Sequence, residues 1–164
     1  MQNTEDGKPA SYAFVLKLSD HPGGMEIIAA TFAHRGVSLE CSLGNDGTLD
    51  PEGRATVLVT FSAPPAKKEN LRRALGRLSR VRSITEHRMD SPYLRKTVYF
   101  RVQGDMADLA LDAAPMHLEC IRHDEAADET TFLLTATPAA VDAYLARVRG
   151  TGRLRDVAAT VIGL

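Results

Sequence analysis

One pattern runs twice through this chain and leaves few folds open to it: strand, helix, strand, strand, helix, strand. In the first pass, Ser11 to Leu18 alternate, with Tyr12, Phe14, Leu16 and Leu18 on one side, which predicts a strand with a single buried face. Asp20-His21-Pro22-Gly23-Gly24 breaks that alternation, because proline and paired glycines favour turn geometry. From Gly24 to Arg35 the period becomes helical through Met25, Ile28 and Phe32, and Gly36 is placed as a helix stop. Val37, Leu39, Cys41 and Leu43 alternate again and predict a second strand. The polar stretch Gly44 to Gly53 reads as a hairpin loop, Ala55 to Phe61 as a third strand that Pro64-Pro65 ends. Lys67 to Arg80 reads as an amphipathic helix with Leu71, Ala74, Leu75 and Leu78 inward, and Val81 to His87 as a fourth strand.

The second pass repeats the order. Leu94 to Val102 is a predicted strand and Asp105 to Ala114 a short helix. Met116 to Arg122 and Thr130 to Ala136 form a strand pair across an acidic loop. Ala139 to Arg149 is a helix with Val141, Tyr144, Leu145 and Val148 inward, and Leu154 to Ile162 closes the set. Asp90-Ser91-Pro92 marks the junction. The expected fold class is therefore α+β: two ferredoxin-like βαββαβ domains in tandem, over residues 11–90 and 91–164, after a polar tail at 1–10. Right-handed crossovers give each domain a four-stranded antiparallel sheet with both helices on one face.

Composition narrows the function classes. With 164 residues, 44% hydrophobic, and a mean hydropathy of -0.17, the chain can bury a core in each half, and no apolar run is long enough for a membrane helix. The polar stretch Met1 to Ala10 lacks an apolar signal core, and two cysteines are too few for a disulfide scaffold, so a reducing cytoplasm is expected. A net charge of -1 and a pI near 6.5 argue against general nucleic-acid binding. The charge is nonetheless segregated: residues 67–101 hold 11 Lys/Arg against 3 Asp/Glu, between two acidic flanks. Such a face suits an anionic partner, or the acidic regions of this chain or of a second copy.

Motifs for chemistry are sparse. There is no G-x-S-x-G, H-E-x-x-H or phosphate-loop signature, and the five histidines have no obvious carboxylate partners. His117, Cys120 and His123 have metal-like spacing, but on a regular strand Cys120 points away from both histidines, so no metal site is expected. The acidic residues Asp124, Glu125, Asp128 and Glu129 read as a solvated loop. The informative segment is the first turn, Asp20 to Met25. Its glycines admit close approach of a ligand to the backbone, and the helix that follows offers unpaired N–H groups carrying partial positive charge, suited to a small carboxylate.

That turn, the tandem pattern, and Phe32-Ala33-His34-Arg35-Gly36-Val37-Ser38-Leu39-Glu40 together resemble ACT domains, and most of all the small regulatory subunit of acetolactate synthase. Val141-Asp142-Ala143-Tyr144-Leu145 and the glycines after it resemble that family's last helix. The resemblance implies a homodimer without an active site of its own. Such a protein binds a small amino acid, usually valine, between two ACT domains and regulates the acetolactate synthase catalytic subunit. No cofactor is implied for this chain, since thiamine diphosphate would belong to the catalytic partner. By position, Asp20, Gly23, Gly24 and Met25 match the ligand-facing turn, and Ser38 and Leu39 the start of strand two that completes the pocket. Asp20 and Ser38 stand where that family usually has asparagine. An ionised aspartate only accepts hydrogen bonds, so Asp20 would repel a ligand carboxylate but hold its ammonium, and Ser38 reaches less far. An effector other than valine, in a stand-alone ACT sensor not associated with acetolactate synthase, is the alternative.

Overall fold

The structure, a computed structural model, describes residues 7–104 and 116–163. The chain divides between Met89 and Asp90 into two compact units. The first contains β1 (Ala10–Ser19), α1 (Gly24–Ala33), β2 (Cys41–Asn45), β3 (Arg54–Ala63), α2 (Pro65–Gly76) and β4 (Val81–Arg88). The second contains β5 (Arg95–Gln103), β6 (His117–Asp124), β7 (Glu129–Ala136), α3 (Pro138–Gly150) and β8 (Leu154–Ile162). The two four-stranded sheets run β2-β3-β1-β4 and β6-β7-β5-β8, with every neighbouring pair antiparallel. This is the tandem ferredoxin-like arrangement that the sequence pattern predicts. The expected helix over Asp105 to Ala114 and residues 1–6 of the expected tail lie outside the described residues.

The period-two residues of the central strands build each core. Tyr12, Phe14, Leu16 and Leu18 of β1 and Val57, Val59 and Phe61 of β3 meet Ile28 and Phe32 of α1 and Leu71 and Leu75 of α2. Phe61 is the hub, with ring centroids 4.8 Å from Phe14, 5.0 Å from Phe32 and 5.8 Å from Tyr12. In the second unit Phe100 stacks on Phe132 at 5.5 Å and meets the edge of Tyr144 at 6.2 Å. Offset and edge contacts of this kind add to burial itself.

Three boundaries differ from the periodicity, each for a local reason. The expected second strand from Val37 begins only at Cys41. After α1 the Val37 N–H turns back to the Phe32 carbonyl at 3.2 Å and its side chain is buried in the core, so pairing with β3 starts where the Glu40 N–H reaches Thr60 O at 2.8 Å. The second helix ends at Gly76 and not at Arg80, the chain continuing in tight turns through Arg77 N–H to Ala74 O and Leu78 N–H to Leu75 O. Last, β6 bulges at Ile121, between Cys120 opposite Phe132 and Arg122 opposite Thr131. The extra residue reverses the alternation, so Cys120 and His123 share the face turned toward α3 while His117 lies on the other.

Candidate functional site

The turn at the end of β1 is shaped by one glycine. Gly23 takes φ 86°, a left-handed conformation that side chains disfavour, and it precedes α1 without any side-chain cap. The first N–H groups of α1 are therefore left to the outside of the helix, apart from the Ile27 N–H that returns to Gly23 O at 3.2 Å. Gly24 is packed close to the strand: a Cβ there would lie 3.3 Å from Leu18 Cδ1.

Side chains from distant segments hold this turn. Arg80 donates through Nη1 to the Pro22 carbonyl, and the Ser19 N–H donates to the Arg80 carbonyl at 2.9 Å. Arg82 Nε donates to Ser19 Oγ at 2.8 Å. Asp20 Oδ2 accepts the Gly47 N–H at 3.3 Å, which ties the turn to the connection between β2 and β3. Met25, about one-third exposed, reaches β2, where a Cβ on Gly44 would come within 3.0 Å of its Cε. Arg80, Arg82, Gly44 and Gly47 were not among the sequence candidates; no local motif marks them, because their spacing to the turn is set by sheet order.

The connection between β2 and β3 has its own anchor. Asp50 accepts from Lys17 Nζ at 2.9 Å, from Arg54 Nε at 3.1 Å and from the Glu52 N–H at 2.9 Å. Lys17, then Arg54, hold its carboxyl well below the usual carboxylate range.

Of the six candidates, Asp20, Gly23, Gly24 and Met25 converge at one end of the sheet. Ser38 and Leu39 lie in the connection after α1, at the opposite end of that helix. Eight residues of α1, 26–33, separate the two sets, about 12 Å of helix. Within one protomer they do not share a pocket.

The site offers backbone N–H groups and a small apolar wall, which suits a zwitterion or small anion. Among the described residues no group of three His, Cys, Asp or Glu side chains is placed to hold a metal ion. His123 Nδ1 lies 2.9 Å from Thr130 Oγ1, but that hydroxyl donates to the Gly104 carbonyl at 2.7 Å, so it receives the imidazole proton and is not activated by it. Among the described residues no helix is long and apolar enough to cross a membrane.

Fold and turn together define a protein of two ferredoxin-like domains in tandem, the first with a glycine turn opening its first helix. No protein-family model and no curated protein matches the sequence. The same two-domain fold is found in the acetolactate synthase small subunit from Thermotoga maritima, at 15% identity over 94% of this chain and 96% of that one, with a TM-score of 0.67. The regulatory subunit of aspartate kinase from Thermus thermophilus, in its ligand-free form, is 14% identical over 85% of this chain and 97% of its own, at a TM-score of 0.43.

Proposed function

We propose that this is a non-catalytic regulatory protein that binds a small amino acid between two copies of its first domain and controls a catalytic partner of the acetolactate synthase type. The carrying observation is the separation of the candidate residues. Among the described residues β2 is an edge strand of the first sheet and pairs only with β3. Antiparallel pairing of two β2 edges about a twofold axis would bring Ser38 and Leu39 of one copy toward the Asp20–Met25 turn of the other. Two equivalent sites would result, as an isologous dimer requires. Leu43, over a third exposed on β2, supplies apolar surface for that contact on the open face of the sheet, while Met25 packs toward Gly44 on the helix-covered face. Ligand carboxylate at the α1 N-terminus and ammonium near Asp20 is the pose that fits the charges. Regulation follows if the effector binds one dimer arrangement more tightly than another.

The stand-alone sensor is favoured by one observation. Asp20 is an anion near the helix N-terminus and already accepts the Gly47 N–H, so it competes for the positive end that valine would need.

A thermal-melt panel of the twenty amino acids tests both. A ligand at about a hundred times its dissociation constant adds about 2.7 kcal/mol, which for a chain of this size is a shift on the order of 5–10 °C. Valine, leucine or isoleucine giving that shift, together with raised turnover of a co-purifying thiamine-diphosphate enzyme, supports the regulatory subunit. A shift with another amino acid and no such enzyme supports the sensor. A silent panel overturns both.

A further inference from the structure

The opposite edge of the first sheet carries a second surface. Among the described residues β4 pairs with β1 alone, and over residues 81–86 this outer strand turns alternate N–H and C=O groups away from the sheet. The second half of α2 and the chain just after it overhang this edge. Between them runs a groove lined by Arg72, Arg73, Arg77, Val81, Arg82 and Ile84. Val81 and Ile84, half-buried against the core, make an apolar floor, and arginines make the wall. A helix lying along an unpaired strand is the geometry in which extended peptides add to sheets.

The charge of the groove says what kind of peptide fits. Glu69 takes a bidentate contact from Arg72, at 2.8 and 3.0 Å, and a longer one from Arg73 at 3.3 Å. Glu86, farther along β4, is paired with Lys68 at 2.7 Å. Among the described residues no carboxylate pairs with Arg77. Positive charge therefore stays in excess along the wall. A second copy of this chain fits poorly, since joining two β4 edges would set Arg82 and Arg88 of each against those of the other.

We propose that the groove between α2 and β4 docks an extended acidic segment of a partner protein, which adds to β4 as a fifth strand and lays its carboxylates against Arg72, Arg77 and Arg82. The backbone of β4 supplies affinity without regard to sequence, and the guanidinium groups select carboxylates, the acceptors that match their planar fork. This edge is separated from β2 by the two central strands; Arg82 also holds Ser19 beside the amino-acid turn, whereas Arg77 makes no contact with that turn among the described residues, so Arg77→Glu tests the groove apart from the amino-acid site.

The test is fluorescence anisotropy of the full chain with a labelled octapeptide of alternating glutamate and valine at low ionic strength. The expected result is saturable binding that weakens as salt rises. Arg77→Glu, an exposed change, is expected to weaken it about tenfold, the loss of one charge-assisted contact. Arg82→Glu serves as the second variant, each shown folded by its melt. Methylating alternate backbone nitrogens of the peptide, on the edge that would meet β4, is expected to weaken binding by a similar factor with every charge kept. Equal binding of the methylated peptide would mean that no strand is added, and equal binding of a lysine-valine peptide would mean that the arginines select no carboxylates; either result overturns the proposal. Tighter binding of oligothymidylate overturns it in favour of nucleic acid, and no binding of any probe overturns it outright.

Discussion

Arg80 Nη1 donates to the carbonyl oxygen of Pro22, 58 positions earlier in the chain, at 2.5 Å. That bond fixes the head of β4 to the turn that opens α1, and Arg82 adds a second link through Ser19 Oγ. The turn is thus held from outside by guanidinium groups, while its own glycines supply the backbone shape.

Gly23→Ala tests that shape. Its φ of 86° costs a side chain about 1–2 kcal/mol in the left-handed region, and the added Cβ would sit 3.4 Å from Arg80 Nη1. The expected outcome is a fall in melting temperature of roughly 2–8 °C. Gly24→Ala, at ordinary φ and against only the flexible end of Leu18, is expected to melt closer to the parent protein.

Phe61→Ala removes the ring shared by Phe14, Phe32 and Tyr12. A buried aromatic cut to alanine costs about 3–5 kcal/mol. Denaturant titration is expected to show the loss; a change under 1 kcal/mol, about the size of an exposed substitution, would mean that the first core is not organised around this ring.

Acid sensitivity follows from Glu69 and Asp50. The Arg72 hydrogen bond, with Arg73, lowers Glu69 to about 2, and Lys17 and Arg54 lower Asp50 further. Both carboxyls are depressed in the folded state, so their contribution is complete above the ordinary carboxylate value and is lost as pH falls toward the folded one. Melting temperature is expected to drop from about pH 4.5 downward, and Asp50→Asn with Glu69→Gln to flatten that drop. An unchanged slope in the double variant would locate the acid sensitivity elsewhere.

Leu43→Lys probes the β2 edge. The side chain is 38% exposed and follows Leu58 of β3 and Val15 of β1 in one cross-strand row. If two copies meet along β2, a lysine there is expected to raise the dimer dissociation constant about tenfold or more, read by light scattering across a dilution series. An unchanged association would move the interface away from β2.

Much of this was legible beforehand. Alternation in Tyr12 to Leu18 and the helical spacing of Leu71 and Leu75 are direct consequences of one-sided burial, and they sufficed for element order and core. Boundaries were less legible where a residue serves the core without being in a strand, as Val37 does, or where an added residue reverses the faces, as Ile121 does in β6.

What the sequence determined by itself is therefore the tandem βαββαβ order, the inward residues, and the glycine turn at Gly23, because periodicity and backbone freedom are local properties. Tertiary structure alone decided which distant groups meet. It joined Arg80 to Pro22 and Asp20 to Gly47, set Ser38 at the far end of α1 from Gly23, and left β2 and β4 as opposite edges of one sheet. Strand order is fixed by how the crossovers pack on a shared core, a property of the whole domain that no window of sequence carries.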